Sequence, residues 1–110
     1  MKTSPTQRSL KLLRSEGYSV GVTEKWNKFV GIRQDLFGFI DMIAIKPGVI
    51  LAVQTTTAKN QIARVKKIRS IPESTKWLEA GGVIEVHGWS QKGARGKRKL
   101  WECTRTVYQG

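Results

Sequence analysis

Acidic residues are scarce in this chain: eight Asp and Glu stand against twenty Lys and Arg, for a net charge of +12 over 110 residues. A surplus of that size creates a positive potential that draws polyanions, nucleic acid first among them. It does not signal disorder, because the 39% apolar content lies within the range of a folded domain. Cysteine is nearly absent. Cys103 alone makes no internal disulfide and has no thiol partner for a zinc site. Histidine occurs once, at His87, so no Ser/His/Asp or Cys/His constellation suggests itself, and a lone histidine in a strand reads as a packed residue. No glycine-rich run has the spacing of a nucleotide-binding loop. Long apolar runs are missing too: Met1–Gln7 lacks the apolar stretch of a signal peptide, and no segment has the length of a membrane span. A cytoplasmic chain with no membrane partner is the expectation, and the length allows one domain, residues 1–110, rather than two.

What is present gives a clear order of elements. Ser4, Pro5 and Gln7 supply an N-cap, a first-turn proline and a capping-box partner for a helix that Gly17 ends, with Leu10 and Leu13 on its apolar face. Tyr18–Val22 reads as a first strand, followed by a polar loop from Thr23 to about Phe37. Gly38–Ile45 and Val49–Thr56 are apolar strands joined by a tight turn through Pro47 and Gly48. Asn60 is placed to cap a second helix carrying Ile62, Val65 and Ile68 at helical spacing, which Pro72 interrupts and Gly81-Gly82 closes. Val83–Trp89 and Lys99–Tyr108 complete the pattern. The expected fold is therefore α/β: a single small domain with a central mixed β-sheet of about five strands flanked by helices, in the order α-β-β-β-α-β-β.

The hairpin carries the strongest functional signal. If its loop takes in residues 46–49, Ile45 pairs with Ile50 and Asp41 falls opposite Gln54, with Cβ atoms about 5 Å apart. Alternation puts Thr56 on the same face, one step nearer the strand end. An acid at the mouth of an apolar hairpin, beside an amide and a hydroxyl, has the makings of a site.

These positions resemble the PD-(D/E)xK nuclease superfamily, and most of all the archaeal-type Holliday junction resolvases and their phage relatives. Gly38-Phe39-Ile40-Asp41 matches the strand that carries the family's aspartate, and Gln54-Thr55-Thr56 stands where the family has Glu-x-Lys. Trp77-Leu78-Glu79-Ala80-Gly81-Gly82-Val83-Ile84-Glu85-Val86 resembles the family's helix, glycine turn and strand. The chain departs from the pattern at Gln54 for Glu, at Thr56 for Lys, and in the first helix, where Thr6 and Gln7 stand near the place of a metal-binding Glu.

The resemblance implies a restriction-endonuclease-like fold and a Mg2+- or Mn2+-dependent endonuclease acting on branched or duplex DNA, as a homodimer that meets two related scissile phosphates. Catalytic positions would be Asp41, Gln54 and Thr56. Metal ligands would be Asp41, the side chain of Gln54 and the backbone carbonyl of Thr55, oxygen donors that suit a hard cation. Asp35 is the best second acid, its alternative being a turn aspartate that caps backbone amides. Glu16 and Glu24 are weaker candidates, read as a helix-end residue and a solvated one. Lys59, Lys25 or Lys28 are the cations placed to stand in for the missing lysine. Phosphate contacts are expected from Lys59 and from the basic loop, at Lys92, Arg95, Lys97, Arg98 and Lys99, with Trp89 and Trp101 flanking it for stacking on bases. The alternative function is a catalytically inactive nuclease-fold module that binds nucleic acid.

Overall fold

The computed structural model describes residues 4–93 and 100–110. Among them, α1 (Pro5–Ser15), β1 (Ser19–Val22), β2 (Lys25–Asn27), β3 (Ile32–Gln34), β4 (Met42–Lys46), β5 (Val49–Thr57), α2 (Gln61–Arg69), α3 (Pro72–Glu79), β6 (Val83–Lys92) and β7 (Leu100–Tyr108) follow in that order, with a 3-10 turn at Ala58–Asn60. The chain is a small α/β domain on a mixed five-stranded sheet, ordered β1-β4-β5-β6-β7. Among the described strands only β5 and β6 run parallel, which requires the long crossover that α2 and α3 fill. None of the described helices is long and apolar enough to cross a membrane.

Local chemistry explains the elements that frame the cleft. The Ser4 hydroxyl accepts the Gln7 amide at 3.2 Å, Pro5 opens α1, and Gly17 leaves it with φ of 92°. Gly48, at φ of 80°, makes the turn between β4 and β5, and the register is the one the turn dictates, with Ile45 opposite Ile50 and Met42 opposite Val53. Side chains then alternate between two covered faces. Leu51, Val53, Met42 and Ala44 pack with Leu13 of α1, whereas Ala52, Ile84 and Val86 pack with Ile68 of α2 and with Phe39 and Ile40.

Three features differ from the sequence pattern. The loop after β1 contains the two-stranded hairpin β2–β3, separate from the main sheet. β4 begins at Met42 rather than Gly38, because Phe37 and Gly38 take left-handed conformations, with φ of 55° and 81°, and fold Leu36 back onto Ile40. The indole of Trp89 is also buried, donating to Ser9 Oγ at 2.9 Å, so it is unable to stack on a base.

Gln61 lies flat across β6 and β7, where its amide nitrogen donates to Thr104 O at 2.7 Å and to Thr106 Oγ1 at 3.0 Å. Only glycine at position 88 leaves room for it: a Cβ there would press into the Gln61 amide and meet Ala58 Cα at 3.0 Å. Gly88→Ala is accordingly expected to cost ~1–3 kcal/mol through overpacking, read as a lower midpoint in thermal or urea unfolding. An unchanged midpoint would show that Gln61 moves aside freely.

Candidate active site

The cleft arises where β4 stops and β5 continues. Beyond the Met42–Val53 pair, β5 runs on for four residues to Thr57 without a β4 neighbour, so its backbone donors on that edge need other partners. Asp41 meets that need. Its own amide donates to Val53 O at 2.9 Å, so two residues, Asp41 and Met42, stand against one on β5, and the chain bends. The bend swings the carboxylate over the strand edge, where Oδ2 accepts the Thr55 amide at 2.7 Å, Thr55 Oγ1 at 3.0 Å and Gln54 Nε2 at 2.9 Å. The side chain therefore reaches groups from both faces of β5 while staying 3% exposed.

Two further acids come to the same place from either end of the β2–β3 hairpin. The amides of Thr23 and Glu24 both point at Asp41 O, at 2.9 and 3.3 Å, which fixes the start of the hairpin beside the bend. Asp35 lies just after β3, and its carboxylate accepts Gln54 Nε2 at 3.4 Å. Carboxylate oxygens of Glu24, Asp35 and Asp41 lie within 4.8 Å of one another. From the first turn of α1, Thr6 Oγ1 contacts Glu24 Oε1 at 3.4 Å and Thr55 Oγ1 at 3.1 Å. The open cleft over these groups has a volume of about 720 Å³. Among the described residues its cationic lining is Arg33, which pairs with Glu24 at 3.1 Å, and Arg64 and Lys67 from α2.

Three carboxylates in one pocket leave one of them poorly ionised. Burial, a side-chain hydrogen bond shared with Asp35 and the charges of Asp35 and Glu24 push Asp41 up to about 8, against the opposing pull of the Thr55 amide. The acid cluster thus holds a proton near neutrality, which a bound cation would displace. Three carboxylates drawn together in a chain of net charge +12 are an all-oxygen donor set that fits a hard divalent cation such as Mg2+ or Mn2+. Gln54 faces the acids with its amide nitrogen and leaves Oε1 buried without a partner, so in this arrangement it acts as a donor to the carboxylates rather than as an oxygen ligand.

The sequence-derived positions sort cleanly. Asp41, Gln54, Thr55, Thr56 and Asp35 all line the cleft. Glu24 belongs with them, and its signal in sequence was only an acid close after β1. Glu16 does not: it pairs with Arg105 at 2.6 Å. The cleft-lining cations are Arg33, Arg64 and Lys67, in place of Lys59, Lys25 or Lys28. Lys92 is exposed at the end of β6 and Lys59 is exposed on the 3-10 turn, while Arg95, Lys97, Arg98 and Lys99 lie outside the described residues. Trp101 is partly exposed, with the Arg8 guanidinium 3.6 Å from its ring centroid.

His87 bonds Ser9 Oγ at 2.8 Å through Nδ1 and Glu85 Oε1 at 2.9 Å through Nε2, a hydrogen-bonded chain of serine, histidine and acid. Ser9 and His87 are both fully buried, so the set is sealed from substrate and serves to join α1 to β6. Burial alone would raise Glu85, but the hydrogen bond to His87 and the charge of Arg105 hold its carboxyl below the usual range. No model of a known protein family matches the chain, and no curated protein does.

Proposed function

We propose that this protein is a metal-dependent, structure-selective DNA endonuclease of the PD-(D/E)xK kind, resolvase-like, that hydrolyses phosphodiester bonds as a homodimer. The observation that carries this reading is the Glu24, Asp35 and Asp41 cluster, set over the open end of β5 beneath a rim of cations. With the β2–β3 hairpin set aside, the sequence α1, β1, β4, β5, α2, α3, β6 is compatible with a restriction-endonuclease-like core in which α2 and α3 together fill the crossover. In the resemblance, the first helix carries a metal-binding Glu near the place of Thr6; here Thr6 instead contacts Glu24, whose carboxylate supplies the charge from the neighbouring connection.

Asp41, Asp35 and Glu24 would hold the cation, which when bound supplies positive charge to the scissile phosphate and lowers the pKa of the attacking water. Thr55 fixes the Asp41 carboxylate by two hydrogen bonds, one from its amide and one from its hydroxyl. Gln54 bridges Asp41 and Asp35 and sets their spacing. With no lysine at position 56, Arg64 and Lys67 bind the phosphate backbone across the cleft and offset the charge that develops on it.

The test is a cleavage screen on branched, duplex and single-stranded DNA with Mg2+ and with Mn2+, run beside Asp41→Ala. Nicking of branched DNA that Asp41→Ala abolishes with binding retained is the expected outcome. No cleavage of any substrate with either metal would refute it. One observation favours the inert alternative: Gln54 already satisfies two of the carboxylates without a cation. That reading requires salt-sensitive DNA binding that survives chelation.

A further inference from the structure

We infer that the β2–β3 hairpin is a wedge that inserts its aromatic tip between bases next to the phosphate held in the cleft. The inference rests on the nuclease reading above and adds how the site would select its substrate. The tip is built to stand out from the protein. Asn27 accepts the Phe29 amide on Oδ1 at 3.0 Å and donates to Gln34 Oε1 at 3.1 Å, and Gly31 N bonds Asn27 O at 2.8 Å, so the turn is fixed by its own side chains and backbone. What it presents is apolar: Phe29 is 89% exposed, Trp26 63% and Val30 60%. These are the side-chain types that open base steps or stack on unpaired bases.

The surroundings select nucleic acid as the occupant. Lys25 and Lys28 flank the apolar tip on its own strand and turn, both exposed, and Lys28 Nζ lies 5.6 Å from the Phe29 ring centroid. Cations around an aromatic knob complement phosphates around stacked bases, whereas a purely apolar partner would leave those charges without counterparts. The hairpin is also rooted in the cleft, since Glu24 precedes it and Asp35 follows it. Five residues of extended chain from Glu24 to Phe29 span at most ~17 Å, which is about five base steps at 3.4 Å each. A base opened by the tip therefore lies within a few steps of the phosphate at the acid cluster. Branched DNA offers such steps already weakened, so the wedge favours junctions over intact duplex.

The experiment uses the full chain in chelator, so that cleavage plays no part, with four-way junctions carrying 2-aminopurine singly at each step within five of the branch point. The parent protein is expected to raise fluorescence at one or two adjacent steps. Phe29→Ser should abolish the rise and bind the junction roughly tenfold more weakly, with affinity for linear duplex unchanged; Trp26→Ala should act in the same direction. The inference is overturned alone if the parent binds and cuts branched DNA with no probe responding, or if Phe29→Ser behaves as the parent. It is likewise overturned if Phe29→Ser changes the sedimenting mass while the probe signal persists, which makes the hairpin a contact between copies. If the parent binds no DNA, the nuclease reading falls with it.

Discussion

In chelator at pH 8, Asp41→Asn should unfold at a higher temperature than the parent, although it removes the central acid of the site. The sign follows from the raised Asp41 value, about 8 against an ordinary 3.8. Between those values the folded protein holds a proton that the unfolded chain releases, so the stability tied to this group is complete below pH 4 and is lost as pH rises toward 8. Asparagine keeps the acceptor for Thr55 and Gln54, while its amide nitrogen turns a carboxylate repulsion into a donation toward Asp35. The two proteins should therefore agree near pH 4 and diverge through pH 5–8. In a domain of this size, ~1 kcal/mol corresponds to roughly 4 °C. Glu85, held low by His87 and Arg105, acts in the opposite direction and at lower pH, and it is common to both proteins. Adding Mn2+ at pH 8 should raise the parent midpoint and leave Asp41→Asn nearly unmoved. Parallel pH profiles would mean that Asp41 is ionised in the fold without penalty, and with that the case for a proton-holding acid cluster would be lost.

How far the sequence led can be traced residue by residue. Pro47-Gly48 fixes a short turn and a short turn fixes a register, which is local and readable as far as the Met42–Val53 pair; the expected backbone pairing of Asp41 with Gln54 does not form, because the Asp41 amide turns to Val53 O, and the two meet through their side chains instead. The contact with Thr55 was not readable. Strict alternation places Thr55 on the opposite face, and only the bend at Asp41 brings its amide and hydroxyl within reach. Glu24 reads as a solvated acid in sequence because its placement depends on two amides, its own and that of Thr23, bonding to the Asp41 carbonyl, a tertiary contact with no trace in spacing. The β2–β3 strands have three residues each and no alternation, and they are held by Asn27 and Gln34 rather than by a buried face, so pattern alone reads them as loop. Arg64 and Lys67 fall off the apolar spacing of Ile62, Val65 and Ile68, which says nothing of where they face; the parallel β5–β6 pairing turns them toward the cleft.

Gln54→Glu, the second large effect, separates a working metal site from a relic. In the fold as it stands, the Gln54 amide nitrogen donates to Asp41 at 2.9 Å and to Asp35 at 3.4 Å. A glutamate removes both donations and adds a fourth carboxylate, at a position 2% exposed. Unpaired charge at such a site costs ~3–5 kcal/mol, so the variant should lose well over 10 °C in chelator at pH 8. If the cluster holds divalent ions, the same change strengthens the site, and Mn2+ should recover most of the loss: at a thousandfold excess over Kd, binding contributes ~4.1 kcal/mol. A midpoint that stays low across a Mn2+ titration would count against a cation among these acids. Adding Thr56→Lys places a positive charge on the same face of β5 and should restore part of the stability even in chelator. The double variant then distinguishes the two functional readings by activity. An enzyme that already works through Arg64 and Lys67 should cut faster, whereas an inert DNA-binding module should cut for the first time, because both changed positions line the cleft beside the acid cluster.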